Sequence, residues 1–223
     1  MKISPQLAGL LLVAVCLLQP VAGSAVTLGQ IDTFEDGTLQ GWSIGGTVPT
    51  QALPVNVPTG GPGGDGDAYL RLTALGASSP NVGSRLSVFN EAQWTGNYLA
   101  AGVNAITMSV KNLGTTNLSL RLVLAHFPVD GFPADLMAMS TVPVVLPTGS
   151  GWTPVVFPLR PGWLKAIAGT VQAALTTPGE LRLVHNPNVS WPPPRVIASL
   201  GADNIKAERR TPLPYVQLLL LDN

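Results

Sequence analysis

Short segments in which apolar and polar residues alternate recur along most of the chain. In residues 118–124, for example, leucine occupies every second position. Each segment is bounded by glycine, proline, asparagine or aspartate. A period of two is typical of β-strands that bury one face. Strands are therefore predicted at 69–73, 106–110, 118–124, 142–146, 155–159, 181–184 and 196–200.

The number and spacing of these segments favour a single all-β domain. About eight to ten short strands with frequent turns are typical of a β-sandwich or jelly roll. The polar, glycine-containing link 111–117 predicts a hairpin turn between its neighbouring strands. Residues 163–175 carry apolar side chains at three- and four-residue spacing, which predicts one short helix. The expected fold is thus an all-β, jelly-roll-like antiparallel β-sandwich with one short helix.

The first 25 residues have the pattern of a secretory signal peptide. Lys2 precedes an apolar run at 7–18, and small residues follow at 21–25. The run is shorter than the about 20 residues that a membrane-spanning helix needs. We predict cleavage near Ala25 and an exported, extracellular, cell-surface or periplasmic protein. Because the only cysteine, Cys16, lies in this segment, the mature chain would have no disulfide.

The composition argues against nucleic-acid binding and gives no support for catalysis. Twelve basic residues balance twelve acidic ones, and charged residues make up only 11% of the chain. This balance argues against nucleic acid as a partner. The two histidines, His126 and His185, form no zinc-binding motif, and no nucleophile motif of serine hydrolases is present. We expect a non-enzymatic, monomeric domain at 26–208 and a short apolar tail at 209–223, too short to span a membrane.

Three segments in a fixed order carry a family resemblance. Residues 31–42 include Phe34-Glu35 and Gly41-Trp42, residues 64–70 read Gly-Asp-Gly-Asp-Ala-Tyr-Leu, and residues 200–205 include Asp203-Asn204-Ile205. They resemble the galactose-binding-like jelly rolls, which include many carbohydrate-binding modules. The resemblance extends further with one set of bacterial exported proteins with PEP-CTERM-like or Val-Pro-Leu-Pro-type tails, at 93–103, 112–114, 151–159 and 180–186. The tail here lacks a full apolar anchor and a basic terminus.

The resemblance implies a structural calcium ion between the first and last strands. By position, Glu35 and Asp203 would be its side-chain ligands, and Asp32, Asp65 or Asp67 would supply further oxygens. Calcium prefers six to eight oxygen ligands, so the residue types are suitable. The alternative is that these aspartates are turn and strand-end residues that bind no metal.

Aromatic residues in loops are the candidates for ligand contact. Trp94 and Tyr98 lie in a polar segment, and Trp191 precedes three prolines. Such rings can stack on sugars, although a Trp-Pro-Pro-Pro arm can equally be a strap packed over the sandwich. Trp42 and Trp152 are expected in the core.

The sequence therefore predicts an exported, non-catalytic module that binds a polysaccharide or a cell-surface glycan. The alternative is a structural or adhesive exoprotein without a sugar ligand. A hydrolase on the same scaffold would need paired carboxylates in a cleft away from the calcium site.

Overall fold

A computed structural model describes residues 25–46, 48–78, 81–129 and 131–211. The predicted signal peptide, apart from Ala25, and the tail beyond Thr211 lie outside these residues, so both stay predictions. The described part contains thirteen strands and one short α-helix. The strands are β1 (Ile31–Asp32), β2 (Trp42–Ser43), β3 (Val55–Val57), β4 (Tyr69–Leu75), β5 (Ser87–Asn90), β6 (Ala105–Asn112), β7 (Leu118–His126), β8 (Leu136–Ser140), β9 (Val144–Leu146), β10 (Thr153–Pro158), β11 (Leu164–Ala168), β12 (Glu180–His185) and β13 (Ile197–Glu208). The helix is α1 (Val171–Thr176).

These strands form two antiparallel sheets. Sheet one has the order β10-β6-β13-β4-β3, and β1 also pairs with β13. Sheet two has the order β11-β8-β7-β12-β5-β2, and β9 also pairs with β7. The long strand β13 pairs with β4 along its first half and with β1 near its end, where Ile31 lies opposite Lys206. The predicted all-β antiparallel sandwich with one short helix is confirmed.

The core lies between the two sheets, and the leucines that alternate along β7 are directed into it. Leu118, Leu120, Leu122 and Leu124 are all buried, and they belong to the same cluster as Phe157 of β10. Burying one such side chain stabilises the fold by about 1.5–3 kcal/mol. Because four leucines of one strand are buried in this core, the leucine repeat is a principal determinant of the fold.

The link 111–117 is not a hairpin, because β6 lies in sheet one and β7 in sheet two. Asn112 holds the link in place as it crosses between the sheets. Its side-chain nitrogen donates to Thr116 O at 2.9 Å and to Leu146 O at 3.1 Å. A short polar link with a glycine has the same local pattern in both cases, so its sequence could not separate a hairpin from a crossing.

The predicted helix at 163–175 is correct only for its second half. Leu164–Ala168 is strand β11, which pairs with β8, and the helix begins after it. Gly169 separates the two with φ of +62°, a conformation that continues neither element and that glycine adopts without strain. Thr170 then caps α1, since its hydroxyl accepts a hydrogen bond from Ala173 N at 3.1 Å.

Candidate functional site

Asp32 lies in the interior, where it binds two indole rings. It is 3% exposed, and its Oδ2 accepts hydrogen bonds from Trp42 Nε1 at 2.8 Å and Trp94 Nε1 at 2.6 Å. Its Oδ1 accepts from Gln93 Nε2 at 3.2 Å. Burial raises the pKa of Asp32, and these hydrogen bonds oppose the rise. The structure thus places the Asp32 side chain in a brace between core aromatic residues, and its role as a metal ligand stays a prediction.

Trp94 and Tyr98 are core residues as well. Both side chains are fully buried, and the Tyr98 hydroxyl donates to Trp94 O at 2.8 Å. The Trp42 and Trp94 rings pack with centroids 6.4 Å apart. Neither Trp94 nor Tyr98 offers a ring face to a sugar, which corrects the prediction that they contact a ligand. Their polar sequence neighbours concealed the fact that Asp32, distant in sequence, binds the Trp94 indole.

The two tryptophans that were expected in the core, Trp42 and Trp152, differ in their burial. Trp42 is buried, as predicted. Trp152 is only partly buried and lies against Tyr69 edge to face, with ring centroids 5.2 Å apart. Its indole nitrogen donates to Gly60 O at 2.9 Å, so Trp152 fastens the loop 58–66 to sheet one.

The charges of two predicted metal ligands, Glu35 and Asp67, act on a third, Asp203. Asp203, on β13, is 1% exposed, and its Oδ1 has no hydrogen-bond partner. Its Oδ2 accepts from Asn204 Nδ2 at 2.7 Å. Burial raises the pKa of Asp203 to about 7, and the negative charges of Asp67 and Glu35 contribute to the rise. A buried carboxylate oxygen without a partner, near two further carboxylates, is a suitable environment for a cation.

Local backbone geometry holds these carboxylates in place. Glu35 Oε1 accepts a hydrogen bond from Ala68 N at 3.0 Å, and Asp67 Oδ2 accepts one from Gly63 N. A Cβ on Gly61 would stand 2.5 Å from Asp67 Oδ2, so the glycine-rich loop can close over Asp67 only without side chains.

The donor set contains only oxygen, which fits calcium. Within the described ranges, however, no three His, Cys, Asp or Glu side chains already form a metal-binding group. Calcium therefore stays a prediction.

A second apolar cluster covers the outer face of sheet two. Five buried side chains there point away from the main core, namely Val123, Ala125, Met137, Met139 and Val184. Residues of the loop 127–135 and of the arm 186–196, including Phe127 and Trp191, pack over them. Trp191 is therefore part of a strap over the sandwich, one of the two roles considered for it.

Arg182 organises the aromatic residues of this outer face. Its guanidinium lies over three rings, at 4.5 Å from the centroid of Phe89, 4.9 Å from that of Phe127 and 5.5 Å from that of Trp191. Two of its nitrogens bind the buried carboxylate of Glu180, and the Nη2–Oε2 distance is 2.9 Å. Burial raises the pKa of Glu180, and the interaction with Arg182 opposes the rise.

A pocket of about 210 Å³ opens beside this strap. Phe132 borders it and is 71% exposed, and the partly exposed Trp191 borders it too. The remaining lining residues are Arg85, Ser87, Arg182, Pro192 and Pro193. Trp191 thus lines a pocket as well as the strap, and its contact with a ligand stays a prediction.

A neighbouring pocket of about 360 Å³ supplies polar groups. It is lined by Glu91, His126, Phe127, Gly179 and Glu180. The Phe127 ring contacts that of Phe132 edge to face, with centroids 4.9 Å apart, and its centroid lies 6.5 Å from that of Trp191. Phe127 therefore connects the two pockets. We name the two pockets together the sheet-two groove.

Sequence reasoning missed several residues of this groove. Phe127, Phe132 and Arg182 were not singled out, because their aromatic and charged neighbours come from separate segments of the chain. The one available signal was Trp191 before its prolines.

No protein-family model matches the sequence, and neither does any curated protein. Similarity does appear among solved structures. A family 11 carbohydrate-binding module of Clostridium thermocellum, solved with a β-1,3-1,4-mixed-linked tetrasaccharide, superposes with a TM-score of 0.51 at 13% identity, over 82% of this chain and 96% of that one. The family 11 module of a cellulosomal cellulase from the same organism gives 0.52 at 10% identity, over 85% and 99%. The fold is that of these jelly-roll modules.

An exo-β-agarase gives a TM-score of 0.54 at 11% identity, over 84% of this chain and 25% of the agarase. Here the likeness extends to one part of a much larger enzyme. The superpositions establish the fold. At identities this low, however, no site residue can be transferred from these proteins to this chain. In the part of the chain that the structure describes, no helix is long and apolar enough to cross a membrane.

Proposed function

We propose that this protein binds carbohydrate without catalysing a reaction on it, and that the sheet-two groove is its binding site. The observation that carries the proposal is the pair of accessible rings, Phe132 and Trp191, at the border of a pocket. Aromatic rings held on packed loops give an apolar face that can stack on a sugar ring at little entropic cost. A mostly apolar pocket with a few polar groups is the usual form of a small-molecule site.

Polar groups of the adjoining pocket complete the recognition. Glu91 is exposed there and can accept hydrogen bonds from sugar hydroxyls. His126 is oriented by Asp135, since its Nδ1 lies 2.7 Å from Asp135 Oδ1. Nε2 is then the ring nitrogen left to face a ligand.

The carboxylates of the groove favour binding over hydrolysis. Glycoside hydrolysis uses two carboxyl groups that can act as acid and as nucleophile or base. Glu91 and Glu180 line one pocket, but Arg182 binds both oxygens of Glu180. Glu180 is also only 2% exposed, so we propose that it supports the groove and does not serve as one of two catalytic carboxyl groups.

We also propose that calcium binds between Glu35, Asp67 and Asp203 and ties the first and last strands together. The unpartnered Oδ1 of Asp203 supports this proposal. Export by the signal peptide at 1–25 belongs to the same proposal, as does relation to PEP-CTERM-type exported proteins. The expected partner is then a polysaccharide or a cell-surface glycan.

The test is binding of the full chain to a panel of soluble and insoluble polysaccharides, with millimolar calcium and with chelator. Retention on one glycan class should be lost on Trp191→Ala. Trp163→Ala is the matched control, because Trp163 is 48% exposed and lies outside the groove. A folded chain that binds no glycan would instead support the structural or adhesive exoprotein.

A further inference from the structure

The loop 127–135 presents two large apolar side chains to solvent at the edge of the sheet-two groove. Val129 is fully exposed, and Phe132 is 71% exposed. Single exposed apolar residues are common on protein surfaces, but two on one short turn beside a pocket point to a contact surface. We name Val129 and Phe132 together the loop tip.

The loop tip is held by contacts at its base. His126 Nδ1 lies 2.7 Å from Asp135 Oδ1, and Asp135 N donates to His126 O at 3.2 Å. Gly131 N donates to Pro128 O at 2.8 Å and closes the turn. Phe132 packs edge to face on Phe127. The contacts of the flanking residues therefore restrain the two apolar side chains, which lowers the entropy lost when a surface covers them.

The charges around the loop tip favour an uncharged partner. Asp135 and Glu91 supply negative charge, whereas Arg85 and Arg182 line the first pocket of the groove. Glu180 balances the charge of Arg182, so neither sign prevails. Without an excess of one sign, the groove offers no strong electrostatic attraction to an anionic or a cationic polymer, and an uncharged surface with apolar character suits it better.

Phe132 connects the loop tip to the groove, because it also borders the pocket with Trp191. A ligand that covers the loop tip is therefore continuous with one that enters the groove. This continuity favours a single polymer for both over a second, unrelated partner such as a lipid surface.

We propose that the loop tip docks on the apolar face of an insoluble, uncharged polysaccharide, while the groove holds one of its chains. This inference rests on the proposed function and names its substrate class. Soluble fragments then engage the groove alone, and the solid polymer engages the groove and the loop tip together.

The experiment compares adsorption of the full chain to microcrystalline cellulose, chitin and insoluble xylan with binding of cellohexaose, chitohexaose and xylohexaose. Val129→Ser is the decisive variant, because Val129 does not line the groove. We expect it to weaken adsorption to the preferred solid about tenfold, from the loss of one buried valine, and to leave binding of the soluble fragment unchanged. Val145→Ser, at a residue 64% exposed on β9, is the matched control and should adsorb normally.

The outcomes separate the two proposals. If the soluble fragment binds and Val129→Ser adsorbs to the solid like the parent chain, the loop-tip inference is overturned and the glycan-binding function stands. If neither solid nor soluble glycan binds, the function itself is wrong. Adsorption to phosphatidylcholine vesicles that depends on Val129, without adsorption to any polysaccharide, would assign the loop tip to lipid and overturn the inference.

Discussion

The buried carboxylate of Asp203 should give the protein a pH dependence that calcium removes. Burial and the charges of Asp67 and Glu35 raise the pKa of Asp203 from 3.8 to about 7. Without a cation, the folded state holds this proton more tightly than the unfolded chain does. The stabilising contribution of the protonated group is therefore complete below about pH 4 and is lost as the pH rises through 7. The full difference corresponds to about 4 kcal/mol.

Raising the pH from 5 to 8 should therefore lower the free energy of unfolding by about 2–3 kcal/mol. On the calcium proposal, the ion would bind the deprotonated carboxylate of Asp203 and offset its repulsion with Asp67 and Glu35. At a concentration about 100 times its Kd, calcium should add about 2.7 kcal/mol to the free energy of unfolding at pH 8. It should add less at pH 5, where protons compete for the carboxylate. Asp203→Asn removes the titrating group and a ligand, so both effects should disappear.

The assay is urea unfolding followed by tryptophan fluorescence at pH 5 and pH 8, in chelator and in millimolar calcium. Glu91→Gln serves as the control, because it removes an exposed carboxylate from the other sheet. It should keep the pH and calcium effects of the parent chain. An Asp203→Asn variant that loses as much stability as the parent between pH 5 and pH 8 would refute the assignment of the raised pKa. An undiminished calcium response in that variant would refute Asp203 as a ligand.

Two further predictions concern the buried polar groups. Asp32→Ala should lower the free energy of unfolding by about 2–5 kcal/mol, because it leaves the indole nitrogens of Trp42 and Trp94 buried without an acceptor; a loss under 1 kcal/mol in urea unfolding would show that the brace contributes little. Arg182→Met should cost about 3–5 kcal/mol, because Glu180 is left as an unpaired buried charge. The double variant Arg182→Met, Glu180→Leu should recover most of that stability but not glycan binding, and recovery of both would exclude Arg182 as the residue that positions Trp191.

The sequence pattern predicted most directly the strands that have one buried and one more exposed face. Strands β4 and β6 alternate clearly, because core and exterior positions follow each other along them. In β7 the leucines alternate as well, although the outer cluster buries Val123 and Ala125 on its other face. Strand β8 was missed, since the outer cluster buries Met137 and Met139 while Ala138 faces the core, and the strand therefore shows no alternation. Strands β1 and β2 have two residues each, too few to show any period.

The candidate sites divide along similar lines. The family resemblance predicted a metal site of Asp32, Glu35, Asp67 and Asp203, and the charges of Asp67 and Glu35 do act on Asp203. The metal itself stays a prediction. The roles of Trp94 and Arg182 could not be inferred, because they depend on Asp32 in one case and on rings from three segments in the other. Polar sequence neighbours do not show that a tryptophan is exposed when a carboxylate distant in sequence accepts the hydrogen bond of its indole nitrogen.

The two candidate sites lie on different sheets, and this separation limits how they can influence each other. Asp203 belongs to β13 of sheet one, whereas the groove is built on β5, β7 and β12 of sheet two. They have no lining residue in common among those that the structure describes. Phe132 of the loop tip packs on Phe127, and the strap is held by the outer cluster, by Arg182 and by the hydrogen bond from Arg85 to Pro193 O. None of these contacts involves the three carboxylates. Calcium would therefore act on glycan binding through the stability of the fold, and the groove would keep its shape in any metal-free chain that is still folded.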